Sequence, residues 1–290
     1  MIPDGMSIGA TTLARWYQKG NPLHLDPYAT ALVRTYSANG LITDSAAGAT
    51  AYATGYKTIS GFVSVLPESI TVPNVPIVVD GDRRPIATLL EAARLKGLAT
   101  GLVATSHFQD ATPAAFSAHA PDRRAYELIA EQQVYSGVDV VLGAGFQYLQ
   151  PDNRADGEDL IHEIKNLGYD YINTPEQLQN SKSKKIWAMF GNYDLSYDFD
   201  RDPTAQPSLS EMTYKAISVL SQNPQGFFLM VEGSKVDWAA HANDPVGVVS
   251  DTLAFDAAFK TALDFAKSRK DTLVVVVTDH GNGGITLGNL

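Results

Sequence analysis

Cysteine is absent from all 290 residues, so the chain offers no disulfide, no thiolate zinc site and no thiol nucleophile. Long apolar runs are missing as well, and no stretch approaches the ~20 residues that a membrane-crossing helix needs. Basic clusters are scarce: the formal net charge is -10, and Lys182 to Lys185 form the only basic knot, read as a solvated loop between turn-favouring Ser and Asn. Because a phosphate backbone is held mainly by clustered Lys and Arg, this balance argues against a nucleic-acid binder. Internal repeats and low-complexity tracts are lacking too. With 44% hydrophobic residues, the chain is expected to close one large core as a single catalytic domain over residues 1–290. The turn-like Asp-Gly at the start of MIPDGMS and the ending GGITLGNL suggest a piece cut at both ends.

Strand-like and helix-like segments alternate along the chain. LATGLVAT, VDVVLGAG, GFFLMVEG and DTLVVVVTD read as buried strands, the last with the all-apolar run Leu273 to Val277. Helices are expected over residues 86–97, 125–136, 210–220 and 246–268, with Gly97 as a cap, and further short ones at TPAAFSAH, 159–167 and 175–179. Such alternation predicts an α/β fold with a doubly wound, mostly parallel central sheet flanked by helices. Residues 59–85 read as a surface excursion rich in Val, Ile, Pro and Gly. The polar and aromatic stretch 150–210 reads as an insertion or crown-like lobe.

Ligands gather at the carboxyl ends of parallel strands, and there the chemistry-bearing side chains fall. Asp237 and His241 stand four apart and share one helix face, while Asp279 and His280 close the last apolar run. Asp4, Asp44, Glu232, Asp237 and Asp279 all close strand-like segments and would converge at one sheet edge. Crowded carboxylates raise one another's pKa, and divalent cations relieve the repulsion. Ser45 sits at a helix N-terminus in TDSAAGATAYATG, a place suited to an anion, and needs a base or metal to become a nucleophile. Asp110 and Thr112 offer hard oxygens fit for magnesium, and Arg123 can grip two phosphate oxygens. A P-loop reading of GATAYATGYKT fails, since six residues separate Gly48 from Gly55 and Tyr56 splits Gly55 from Lys57.

Taken in order, PDGM, TDSAAGATAYATG, QDATPAAFSAH with Arg123 beyond it, VEG with Asp237 and His241, and TDHG resemble the alkaline phosphatase family from Asp4 to His280. The resemblance implies a three-layer sandwich that hydrolyses phosphate monoesters through a phosphoserine at Ser45, with Arg123 holding phosphate oxygens and Asp44 orienting it. It also implies two zinc ions and one magnesium. Asp237 and His241 would serve the first zinc; Asp4, Asp279 and His280, with the Ser45 oxygen, the second. Asp4 would bridge to magnesium, completed by Asp110, Thr112 and Glu232. The family's third ligand to the first zinc is a histidine beyond the TDHG motif, which this sequence does not reach. Trp238 stands where some relatives carry a polar or charged residue that tunes phosphate binding.

By the same resemblance the parent protein is expected to be periplasmic or extracellular and a homodimer, acting on small phosphate monoesters. Two other readings stand beside it: a metal- or phosphate-binding fragment without turnover, and a related phosphodiesterase or phosphotransferase; sulfatases of related fold use a modified Cys or Ser in a different motif, and this chain has no Cys. The remaining His24, His107, His119 and His162 are read as surface or packing residues, and the three tryptophans Trp16, Trp187 and Trp238 as packing rather than recognition.

Overall fold

In a computed structural model that describes residues 1–76 and 82–288, six strands form one sheet in the order β1-β6-β2-β3-β5-β4. They are β1 (Ile2–Pro3), β2 (Ala99–His107), β3 (Val140–Ala144), β4 (Asp170–Ile172), β5 (Ile186–Met189) and β6 (Phe227–Gly233), and every pairing is parallel. Ten α-helices accompany them: α1 (Ile8–Tyr17), α2 (Ser45–Thr54), α3 (Leu89–Leu95), α4 (Ala111–Ser117), α5 (Tyr126–Tyr135), α6 (Leu160–Asn166), α7 (Pro175–Asn180), α8 (Leu209–Leu220), α9 (Lys235–His241) and α10 (Pro245–Ser268). The doubly wound α/β expectation holds.

Alternation along the strands explains why the sheet is covered on both sides. Val103, Leu142, Ala188 and Val231 join one core with Met212, Ala216 and Leu220 of α8 and Phe255 of α10. Their neighbours Leu102, Val141, Trp187 and Met230 join the other, with Leu90 of α3, Ala130 and Val134 of α5, and Leu160 and Ile164 of α6. Because successive side chains point to opposite faces, continuous apolar strands are the signature of a sheet buried twice over. All nine residues of β2, near the middle of the sheet, are buried.

Local chemistry sets the helix boundaries. Capping boxes start α3 at Thr88 with Glu91 and α8 at Ser208 with Glu211, so α3 begins three residues later than the apolar spacing suggests. Asp110 caps α4, which places Pro113 inside the first turn, where its missing N–H leaves no bond unmade. Gly97 adopts φ +79 just after α3 ends.

Three expectations change. Leu273 to Val277 forms no ladder: the segment is extended, none of its residues is buried, and Leu273 is 85% exposed. Its backbone bonds to the sheet side run through Met1, whose N–H donates to Val275 O at 2.7 Å and whose O accepts from Val277 N–H at 3.2 Å, while Val276 and Val277 pack partly buried against the two cores. An apolar run becomes a buried strand only with partners on both sides, and β1 beside it is two residues long. Residues 62–66 are not a surface excursion but are buried, with Val63 bridging Ala120 and Val65 bridging Pro85, while 77–81 lie outside the described residues. The stretch 150–210, expected as an insertion, contributes β4 and β5 to the central sheet. No helix among the described residues is long and apolar enough to cross a membrane.

Candidate metal centre and nucleophile

Asp44 and Ser45 open α2, and the local sequence explains both positions. The Asp44 carboxylate caps the helix through Ala47 N–H at 3.1 Å, its second oxygen accepting from Gly61 N–H at 3.0 Å and from Arg123 Nη1 at 3.1 Å. With Asp44 as the cap, Ser45 becomes the first helical residue, at the positive end of the helix dipole. Its Oγ lies 3.1 Å from His280 Nε2 and donates to Asp4 Oδ1 at 3.4 Å.

Arg123 is held from two sides, since Nη2 donates to Asp110 Oδ1 at 3.0 Å while Nη1 reaches Asp44. Burial works against its charge, but the two carboxylates more than offset that and push its pKa above the ordinary arginine value. A guanidinium fixed this way keeps its charge and its orientation next to the helix that Ser45 opens.

Around Ser45 part of the expected acidic set comes together. Asp4, Asp279 and His280 form a buried trio whose ligand atoms all lie within 4.8 Å of one another. His280 Nε2 is 3.4 Å from Asp4 Oδ1, 3.4 Å from Asp279 Oδ2 and 4.0 Å from Asp237 Oδ1. Burial, then Asp279, Asp237, Glu232 and Asp110 in turn, raise Asp4 well above the usual carboxylate range. Burial followed by Asp110 pushes Glu232 up to about 8, and burial raises Asp237. Asp237 and His241 pair at 3.4 Å across one turn of α9, with the histidine side chain 69% exposed.

The donor set fits divalent cations on two counts. Buried carboxylates this close cannot all stay ionised without a compensating charge. In addition Thr112 Oγ1, Glu232 Oε1 and Asp279 Oδ2 are buried with no well-formed hydrogen bond, Asp279 Oδ2 having only the His280 ring nitrogen at 3.4 Å, a condition buried oxygens rarely tolerate. Imidazole with carboxylate suits zinc, and the oxygen-only set of Asp4, Asp110, Thr112 and Glu232 suits magnesium.

Two glycines permit the close approach. At Gly5, with φ +63, a Cβ would stand 2.4 Å from Asp237 Oδ1; at Gly48 it would stand 2.8 Å from Asp279 O. Asn282, which the sequence reading missed, donates from Nδ2 to Asp237 Oδ1 at 2.7 Å, and its own N–H donates to Gly5 O at 3.0 Å. Its flanking glycines in HGNGG are the signal of a tight turn that could have marked it.

The bland readings hold for most remaining histidines and tryptophans. His24 contacts Asp256, His119 contacts Glu91 and Ser64 O, His162 is exposed and Trp187 is buried. Trp16, by contrast, is 71% exposed. Buried His107 and half-buried Trp238 belong to a ring cluster beside Asp110 and Arg123.

The sequence matches the family described as Alkaline phosphatase over residues 1–289. Alkaline phosphatase 4 of Bacillus subtilis is 42% identical over 85% of this chain and 51% of its own length; alkaline phosphatase 3 of the same organism is 39% identical over 99% and 61%. Among solved structures, the Thermus thermophilus alkaline phosphatase superposes with a TM-score of 0.88 at 33% identity, covering 97% of this chain and 58% of that one. The cold-active enzyme of a Shewanella species gives 0.86 at 34% identity, covering 98% and 68%. The chain thus spans about half to three-fifths of the length of these two Bacillus subtilis relatives.

Proposed function

The chain belongs to the alkaline phosphatase family, and from that premise we propose that it carries the catalytic centre of a phosphomonoesterase that works through a phosphoserine at Ser45. The observation that carries this reading is the Ser45 hydroxyl, set 3.1 Å from His280 Nε2 at the start of α2, beside an arginine fixed by two carboxylates. Arg123 would grip two oxygens of the incoming phosphoryl group, and the amino end of α2 would add its dipole. Ser45 Oγ then forms a bond to phosphorus as the ester P–O bond breaks, the alcohol leaving with the electron pair and taking up a proton. Water attacks the phosphoserine in a second displacement, which frees inorganic phosphate and restores the hydroxyl.

Asp4, Asp279, His280 and Ser45 would hold one zinc, Asp237 and His241 another, and Asp4, Asp110, Thr112 and Glu232 a magnesium. Bound there, such cations lower the proton affinity of the hydroxyl and offset charge on the phosphoryl oxygens. Family membership supports small phosphate monoesters as the substrate class and an exported homodimer as the form of the parent protein.

The test is the Ser45→Ala variant, assayed with zinc, magnesium and a chromogenic phosphate ester. Phosphoenzyme trapping should vanish while metal uptake persists; unchanged turnover would overturn the proposal. One observation favours a second reading, binding without turnover: among the described residues no third Asp, Glu, His or Cys donor joins Asp237 and His241 in a compact set. Saturable zinc binding with no ester hydrolysis would select it.

A further inference from the structure

Five rings reach one spot from the carboxyl ends of four strands. His107 ends β2, Tyr148 follows β3, Tyr193 follows β5 and Trp238 lies on α9 after β6, while Tyr126 opens α5 three residues beyond Arg123. The buried His107 imidazole is the hub, with ring centroids 4.8 Å from Tyr126, 5.4 Å from Tyr148, 4.8 Å from Tyr193 and 6.4 Å from Trp238. Tyr126 and Tyr148 are 5.0 Å apart, Tyr148 and Tyr193 6.2 Å, and Tyr193 and Trp238 6.3 Å, so the four outer rings make a continuous arc. Trp238 is steadied by the Lys235 ammonium 4.1 Å from its ring centre, which itself pairs with Asp194.

The arc is not ordinary core. All four outer rings keep solvent access, with Tyr193 42% exposed, while the hub beneath them is 1% exposed. Single exposed aromatics need no explanation, but a connected, half-open set beside a polar centre marks a binding surface. The arc lies near the groups proposed to hold phosphate: Tyr126 feels the charges of Asp110 and Arg123, Tyr193 that of Asp110, and Trp238 follows Asp237, whose Oδ1 is 4.0 Å from His280 Nε2. The ester group of a phosphate gripped between Arg123 and Ser45 would therefore lie against rings.

We propose that Tyr126, Tyr148, Tyr193 and Trp238, ranged around His107, form a platform for aromatic leaving groups, so that the site favours aryl over alkyl phosphate monoesters. This inference rests on the phosphomonoesterase reading above. Ring-on-ring contact favours a planar group over a saturated one of equal size by about three- to ten-fold in affinity.

Calorimetric titration of the zinc- and magnesium-loaded chain with phenylphosphonate, cyclohexylphosphonate and inorganic phosphate tests it without relying on turnover. Phenylphosphonate should bind about three- to ten-fold tighter than cyclohexylphosphonate, Tyr193→Leu should bring that ratio toward one, and Tyr193→Phe, which keeps the ring, should preserve it. Should Tyr193→Leu be poorly folded, Trp238→Leu gives the same reading from the other end of the arc. Equal affinities in the unaltered chain, or a ratio that survives both Leu variants, would overturn the platform while normal phosphate binding leaves the phosphatase reading standing. Failure of inorganic phosphate to bind would bring down both.

Discussion

Arg123 illustrates how much one side chain carries here. Asp44 and Asp110 each take one of its terminal nitrogens, so its outward N–H groups are aimed before any phosphate arrives. Arg123→Lys keeps the charge and loses the fork; phosphate affinity should fall roughly ten-fold, seen as a raised KM and a weaker phosphate Ki. Asp251, on α10, makes a different prediction. Burial pushes its carboxyl from 3.8 up to about 7, although it accepts a hydrogen bond from Asp198 N–H. Between those two values the unfolded chain gives up a proton that the folded chain keeps, so this group's contribution is complete at acid pH and drains away as pH rises through about 7. Asp251→Asn removes that slope: relative to the parent, the variant should gain on the order of a few kcal/mol between pH 5 and pH 8, measured by urea unfolding.

Helix α2 is the element on which the site turns, because its first residue is the proposed nucleophile and its fourth, Gly48, lies against the backbone of Asp279. Gly48→Ala would wedge the helix away from that segment, costing about 1–3 kcal/mol. Because Ser45 would shift relative to His280, kcat should drop more than the change in melting temperature accounts for; an intact kcat would show that the contact is only packing. Elements with a strong local signal were readable in the sequence: the helix that opens near Ser45, the helices that became α5, α8 and α10, and the strands that became β2, β3 and β6, whereas the Asp44 cap and the capping boxes of α3 and α8 went unread. The short β4 and β5 were hidden, since three and four residues among Asp, Asn and Tyr carry too little pattern to compete with the surrounding turns. Leu273 to Val277 misled in the opposite way, because apolar composition reports a capacity for burial and says nothing of whether neighbours are present. The site divides similarly. Asp4, Ser45, Asp279 and His280 stood out as motifs, whereas Asn282 and the tyrosine arc owe their positions to contacts between distant segments.

Across the whole molecule, the buried carboxylates tie folding to cation binding. Ligands that bind only the native state stabilise it by mass action, so adding zinc and magnesium to a chelator-treated sample should raise the melting temperature in a concentration-dependent way; a flat response would deny the site its cations. The net charge of -10 adds a general repulsion that bound cations also relieve. The extended run from Leu273 to Val277 acts in the other direction. Its contact with Met1 uses only one side, and Leu273 and Val275 are 85% and 52% exposed. Four successive valines without a charge among them are a template on which a second chain can lay down a strand of its own. Sedimentation at rising concentration should reveal self-association that Val275→Lys suppresses. Such a seam would make the chain adhesive, and a single ammonium placed along it would then keep neighbouring molecules apart.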